Sequence, residues 1–311
     1  MKILVTGAEG FVGTNLTPKL KEIGEVYALT SDLRNFEATS EEILKYNPNI
    51  IVHLAARTEV ETSFYDQLDF TTVNYLGTQN LIETAKELKN LDCILFSSTM
   101  EVYGWQPISD EVKLYSVPKK FIAFDEDTPV NPNAPYAVAK HACEKYFEYA
   151  SRAYGIKYIA FRQTNTYGRS NNDFFVTESI ISQMLKKHRN KWRVMLGYSE
   201  PYRNFLYKDD LIDAWMKAIS KRTKLYNNIY TIGPDNPIKM KDYAELIWKK
   251  VDYHGSLYWN MRPDRPGEIF YLNSSNSLFS KLTGWKPKTS LSDGLDKTIE
   301  IWNERIHSED R

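Results

Sequence analysis

Three glycines, Gly7, Gly10 and Gly13, stand between an apolar run at residues 3–6 and a segment whose apolar residues recur at helical spacing. Few patterns restrict a chain more. Without Cβ atoms the backbone can turn tightly from strand to helix and let a pyrophosphate approach, while the first helical turn offers N–H groups with no partner inside the helix. A bare tight turn satisfies the same spacing, but the strand before it and the helix after it favour a dinucleotide-binding loop.

The rest of the first half supports that architecture. Short branched runs at residues 3–6, 26–29, 50–56, 93–98 and 158–161 read as buried strands, and residues 12–23, 40–46, 72–88 and 136–154 carry apolar positions at helical spacing. Strand and crossover helix alternate, which predicts an α/β, Rossmann-like, doubly wound parallel sheet. After about residue 165 the alternation loosens into a loop at 169–172, helices near 178–187 and 209–221, and a strand at 229–232. The expected division is a dinucleotide-binding domain over 1–165, rejoined by part of 195–232, and a smaller substrate-binding lobe over most of 166–311. Residues 104–135 are long, proline-bearing and without clear period, as functional or mobile loops are.

Forty basic and forty acidic side chains cancel, so no global field draws the chain to nucleic acid or to an anionic membrane. An anionic ligand must be held by local groups. The two cysteines, Cys93 and Cys143, make no disulfide framework and have no metal-ligand spacing, and no cluster of His, Cys and carboxylates suggests a metal. His53 lies inside the apolar run 50–56 and reads as a core histidine with satisfied hydrogen bonds. The N-terminus enters the glycine motif directly, leaving no room for a signal peptide, and no apolar run reaches the ~18 residues of a membrane span. A cytoplasmic location is expected.

Two further features carry chemistry. Asp32 lies about 20 residues beyond the glycines, where a carboxylate can bind the adenine ribose and repel a 2′-phosphate, so NAD is the expected cofactor. The alternative places Asp32 at the adenine ring and surrounds the ribose with Thr30, Ser31 and Arg34, in which case NADP is tolerated. Tyr136 and Lys140 are one helical turn apart and share a face; an ammonium beside a phenol favours the phenolate. An ordinary surface pair has the same spacing, so context decides.

That context is Ser97-Ser98-Thr99-Met100-Glu101-Val102-Tyr103-Gly104, a strand ending in hydroxyls and an acid. With Thr6-Gly7 to Gly13, Asp32-Leu33-Arg34-Asn35, His53-Leu54-Ala55-Ala56, Asn74 with Gly77-Thr78, and Tyr136 to Lys140, it makes an ordered set. The chain resembles the extended short-chain dehydrogenase/reductase family, in its nucleotide-sugar epimerase and dehydratase branch, nearly from end to end. The resemblance implies that Tyr136 takes the proton of the sugar C4 hydroxyl, that Lys140 binds the nicotinamide ribose and lowers the tyrosine pKa, and that Thr99 bonds the same hydroxyl. It also implies cofactor contacts at Phe11, Val12, Leu33, Leu54, Ala55, Ala56, Asn74 and Ser97. For the nucleotide diphosphate it points to Asn165 in Asn165-Thr166-Tyr167-Gly168, Arg203 in Tyr202-Arg203-Asn204-Phe205, and Arg265 in Asp264-Arg265-Pro266-Gly267. Gly284-Trp285-Lys286-Pro287 resembles the turn before the family's last helix.

The expected substrate is therefore a nucleotide-diphosphate sugar. Glu101 stands where dehydratases and decarboxylases of the family have glutamate, the C5 base in dehydratases, whereas Met100 replaces the proton donor that dehydratases commonly place before it. The expectation puts 4-epimerase ahead of 4,6-dehydratase, with decarboxylation or C4 oxidation behind, and a non-catalytic dinucleotide sensor as the alternative outside enzymes. Apolar residues on more than one face of 72–88 and 136–154, the helices that relatives pair across a two-fold axis, predict a homodimer.

Overall fold

Successive side chains of a strand point to opposite faces, and in the computed structural model this alternation separates two cores. Ile3, Val5, Ile50, Val52, Cys93, Leu95, Ile159 and Phe161 pack into one; Leu4, Ile51, Ile94, Phe96, Tyr158 and Ala160 pack into the other. A strand buried on both faces has no solvated face, which is why these runs carry no polar alternation. The structure describes residues 1–104, 122–186, 193–262 and 265–309. Residues 105–121 of the expected functional loop, Lys187 and Asp264 lie outside the described residues.

The central sheet contains β1 (Lys2–Thr6), β2 (Glu25–Ala28), β3 (Ile50–His53), β4 (Cys93–Thr99), β5 (Tyr158–Gln163) and β6 (Asn228–Ile232), in the order β6-β5-β4-β3-β1-β2. All pairs are parallel. From β2 at one edge the chain returns across β1 to β3, so strand order reverses beside β1 and opens a crevice at the C-terminal ends of β1 and β3.

On one face lie the helices Phe11–Lys21 and Lys208–Lys221, whose Leu16, Leu20, Leu211 and Trp215 join the first core. On the other lie Phe36–Tyr46, Gly77–Ala85 and Pro135–Tyr154, bringing Ile43, Leu81, Ile82 and Phe147. Pro135 opens the last of these, where its missing N–H costs nothing, and Gly155, at φ 71°, stops it by donating to the Ser151 carbonyl at 3.0 Å. The segment expected as one helix over 72–88 differs: it begins as a π-helical turn, Thr71–Leu76, and becomes α-helical over Gly77–Ala85. Such a turn inserts one residue into the ladder.

A third core joins helices Val176–Leu185, Met240–Val251 and Leu291–Glu309, where the Phe205 and Tyr243 rings stack at 3.9 Å and Trp302 is buried. Short strand pairs, Asn165–Tyr167 with Phe205–Tyr207 and Tyr202–Arg203 with Ile238–Lys239, tie this lobe to the ends of the sheet. Among the described residues no helix is long and apolar enough to cross a membrane.

Candidate active site

The glycine loop lies at the switch point. Gly7 takes φ +68°, and a Cβ there would stand 2.7 Å from the Ala55 nitrogen; a Cβ on Gly13 would overlap the Gly7 carbonyl. The Gly10 N–H donates to the Gly7 carbonyl at 3.1 Å, and the helix starting at Phe11 has no side-chain cap, so its first N–H groups remain available to an anion. These residues fit the pyrophosphate of a dinucleotide. The Arg169 guanidinium lies between the Phe11 and Phe175 rings, 4.1 and 3.8 Å from their centroids, and bridges the loop to the second lobe.

Beside the loop is a pocket of about 170 Å³ lined by Thr6, Gly7, Leu29, Ser31, Asp32, Leu33, Ala55 and Val73. Asp32 is already paired: Arg34 donates to it through its backbone N–H at 2.9 Å and its guanidinium at 2.6 Å, which holds the Asp32 carboxyl below its ordinary value. Arg34 also reaches Asp69 at 3.1 Å, and Asp69 accepts from Arg57 at 2.6 Å. The Arg57 guanidinium covers the Phe70 ring, which meets Tyr136 edge to face.

At the ends of β4 and β5 lies a cleft of about 840 Å³. Register sets Thr99 beside Gln163, and both line the cleft. The Thr99 hydroxyl accepts the Glu101 N–H at 3.2 Å and so opens the 3₁₀ turn Met100–Tyr103. Tyr136 reaches the same cleft from the first turn of its helix. Burial pushes its phenol well above the ordinary value, Thr99 pulls it back, and Glu101 and Glu59 push it further up. Lys140 lies one turn deeper, where burial brings it down to about 8, and its Nζ donates to the Ser97 carbonyl at 2.7 Å. The phenol therefore holds its proton in this arrangement, chiefly because it is buried, and the Lys140 ammonium is turned to a carbonyl.

Behind β4 a buried ion pair anchors the same helix. Arg162 donates to Glu144 through Nε at 3.0 Å and NH2 at 2.9 Å, and Ser98 donates to that carboxylate at 2.6 Å. His53 is a buried core residue between the hydroxyls of Thr6 and Thr78, at 2.8 and 2.9 Å; burial brings it down to about 3, so it is neutral. Among the described residues no cluster of His, Cys and carboxylates could hold a metal.

At the far end, Asn165, Arg203 and Arg265 line the cleft, and both arginines converge on Glu268. Arg203 approaches it at 3.4 Å and also donates to the Ile269 carbonyl, and Arg265 lies 2.6 Å from the second carboxylate oxygen. Glu101 faces this group: burial raises its carboxyl, and Arg203 and Arg265 lower it.

One cleft thus gathers Gly7, Gly10, Phe11, Val12, Gly13, Leu54, Ala56, Ser97, Thr99, Glu101, Tyr136, Asn165, Arg203 and Arg265, while Asp32, Leu33 and Ala55 line the smaller pocket. Three of the expected residues line neither. Lys140 is below the floor; Thr30 is held by Glu42; and Asn74 spends both ends of its amide on the Arg57 backbone, accepting at 2.8 Å and donating at 3.0 Å. Sequence reasoning missed Glu42, Arg169, Gln163 and Glu268. Only Glu268 carried a signal, its spacing three residues after Arg265.

Comparison with known proteins agrees with this geometry. The chain is 26% identical to the "Putative UDP-glucose 4-epimerase" of Methanocaldococcus jannaschii, over 96% of this chain and 97% of that protein. It is 28% identical to the human dTDP-D-glucose 4,6-dehydratase, over 99% of this chain and 91% of that protein. The crystal structure of UDP-glucose 4-epimerase from Thermotoga maritima, solved with UDP-glucose, superposes with a TM-score of 0.84 at 25% identity, covering 98% of this chain and all of that one. The sequence model of the NAD dependent epimerase/dehydratase family matches residues 3–233, and with its Rossmann-type sheet, glycine loop and cleft this chain is an enzyme that belongs to that family.

Proposed function

We propose that the protein inverts C4 of a nucleoside-diphosphate sugar through a transient 4-keto sugar, with NAD as cofactor. The observation that carries this reading is that one continuous cleft is lined by the glycine loop, by Thr99 and Tyr136, and by Arg203 with Arg265. When bound, the nicotinamide supplies the acceptor and then the donor of the C4 hydride. Tyr136, once it has released its own proton to solvent, would as phenolate take the C4 hydroxyl proton and return it, with the Thr99 hydroxyl bonded to the same oxygen. Lys140, one turn away, would hold the nicotinamide ribose and supply the positive charge that favours the phenolate. Arg203 and Arg265 exchange Glu268 for diphosphate oxygens, which suits their planar forks.

Elimination of water is the second reading, favoured by Glu101, a carboxyl raised by burial that lines the same cleft as Tyr136. Met100 stands against it. Its thioether packs with Tyr103, Phe124, Ile269, Tyr271 and Leu272 and offers no proton to a leaving hydroxyl. Incubation with a panel of nucleotide sugars separates the readings: an isomer of unchanged mass is expected, loss of water would replace the first reading with the second, and tight cofactor binding without turnover would indicate a sensor.

Assembly as a homodimer belongs to the same reading. Leu76 at the end of the π turn and Val138 and Tyr149 on the long helix are exposed apolar positions on the face expected to pair. Light scattering at micromolar concentration is expected to give twice the chain mass, and a monomer mass would remove this part. A cytoplasmic location also belongs to it; cell fractionation tests it.

A further inference from the structure

Beyond β2 the chain passes through Leu29, Thr30 and Ser31 before turning at Asp32, alongside the smaller pocket. Two successive N–H groups and a hydroxyl at a strand end form a donor set suited to an anionic oxygen. In this chain the set is already filled. Glu42, from the helix Phe36–Tyr46, accepts the Thr30 N–H at 2.8 Å and the Thr30 hydroxyl at 3.0 Å on one carboxylate oxygen, and the Ser31 N–H at 2.9 Å on the other. The Tyr27 hydroxyl donates to the first oxygen at 2.8 Å. Arg34, four residues beyond Thr30, is committed to Asp32 and Asp69.

We propose that Glu42 is the residue that makes this site select a dinucleotide whose adenine ribose carries a free 2′-hydroxyl, by filling with its own carboxylate the donors at Thr30 and Ser31 that a 2′-phosphate would take. Asp32, which sequence position marks for that task, has its charge neutralised by Arg34. A 2′-phosphate entering here meets a fixed carboxylate and finds the donors occupied, so it is refused both by repulsion and by want of partners. Glu42 stays charged throughout the working range: partial burial would raise its carboxyl, but the Thr30 N–H, the Tyr27 and Ser31 donors and their neighbours bring it down to about 2. The inference rests on the reading of the glycine loop as the dinucleotide site.

Calorimetric titration of wild type, Glu42→Gln, Glu42→Ala and Asp32→Asn with NAD and with NADP, at one ionic strength, tests it without any turnover. Wild type is expected to bind NAD roughly 100-fold more tightly than NADP. Glu42→Ala should narrow that ratio about tenfold or more, chiefly by gaining NADP affinity, and Glu42→Gln, which keeps the shape and an acceptor, should lie between. Asp32→Asn should leave the ratio within about threefold. Circular dichroism checks the fold, and if Glu42→Ala does not fold the isosteric Glu42→Gln decides. A wild type that binds NADP as well as NAD, a ratio unmoved in the Glu42 variants, or a ratio moved by Asp32→Asn instead would overturn the proposal. A wild type that binds neither dinucleotide would overturn the reading of the glycine loop as well.

Discussion

The Lys140 ammonium donates to the Ser97 carbonyl at 2.7 Å, so the helix that carries Tyr136 is tied to β4 two residues before Thr99. That tie, from a side chain that does not itself line the cleft, joins the Arg162–Glu144 pair in holding the helix against β4. Removing either partner should disturb chemistry in a different way.

Tyr136→Phe deletes only the phenolic oxygen from a side chain that is 7% exposed and held edge to face by Phe70. Fold and cofactor affinity should persist while kcat falls roughly 10²–10⁴-fold, the usual worth of a positioned proton acceptor. Steady-state rates beside a cofactor titration check this; activity within a few-fold of wild type would remove Tyr136 from the chemistry.

Lys140 gives the pH dependence its sign. Burial brings its ammonium down to about 8, so as pH rises through that value the lysine loses its proton, and with it the charge that favours the phenolate. The kcat/KM profile of wild type should fall on the alkaline side of about pH 8. Lys140→Arg, which keeps its charge, should move that limb upward, and Lys140→Met should weaken cofactor binding as well as rate.

Breaking the Arg162–Glu144 pair, which lies behind β4 and lines no cleft itself, should cost stability. Both side chains are almost wholly buried, and loss of one leaves the other charged without its partner, a loss of about 3–5 kcal/mol. Denaturant unfolding of Arg162→Met and Glu144→Leu measures each loss, and the double variant should recover part of it.

For the reaction itself, Glu101→Gln separates the two outcomes. An enzyme that only inverts C4 breaks no bond at C5, so the variant should change rate modestly, and product formed in heavy water should carry no carbon-bound deuterium. Elimination requires a base for C5, so the variant should then stop after C4 oxidation with reduced cofactor accumulating.

Much of this molecule could be read from its residues, for reasons particular to each part. The strands were legible because burial on both faces leaves runs such as residues 50–52 wholly apolar, and Gly7 and Gly13 because any Cβ would strike the neighbouring backbone. The helix Met240–Val251 is not among the expected helices, although Tyr243, Ala244 and Ile247 share its buried face at helical spacing. The π turn was not legible, since one inserted residue leaves no mark in an apolar pattern, and it carries Asn74 onto the Arg57 backbone. Glu42 has no local sign of its role, and the spacing from Arg265 to Glu268 does not reveal Arg203. The donors to Glu42 come from another connection and Arg203 reaches Glu268 from 65 residues away, which only the folded chain reveals.

The sixth strand also bears on how this protein could be taken apart. β6 arrives from the second half of the chain and pairs with β5 from Ile159 to Gln163. A fragment ending near residue 165 would retain the glycine loop yet present a bare row of amide and carbonyl groups along β5, an invitation to edge-to-edge association. It would also lose Trp215 and Ile232 from the core around Phe161. Grafting the second lobe onto a different scaffold of this kind would therefore have to leave residues 208–232 behind with the sheet, so the two halves can be exchanged between relatives only as interleaved pieces and not as beads on a string.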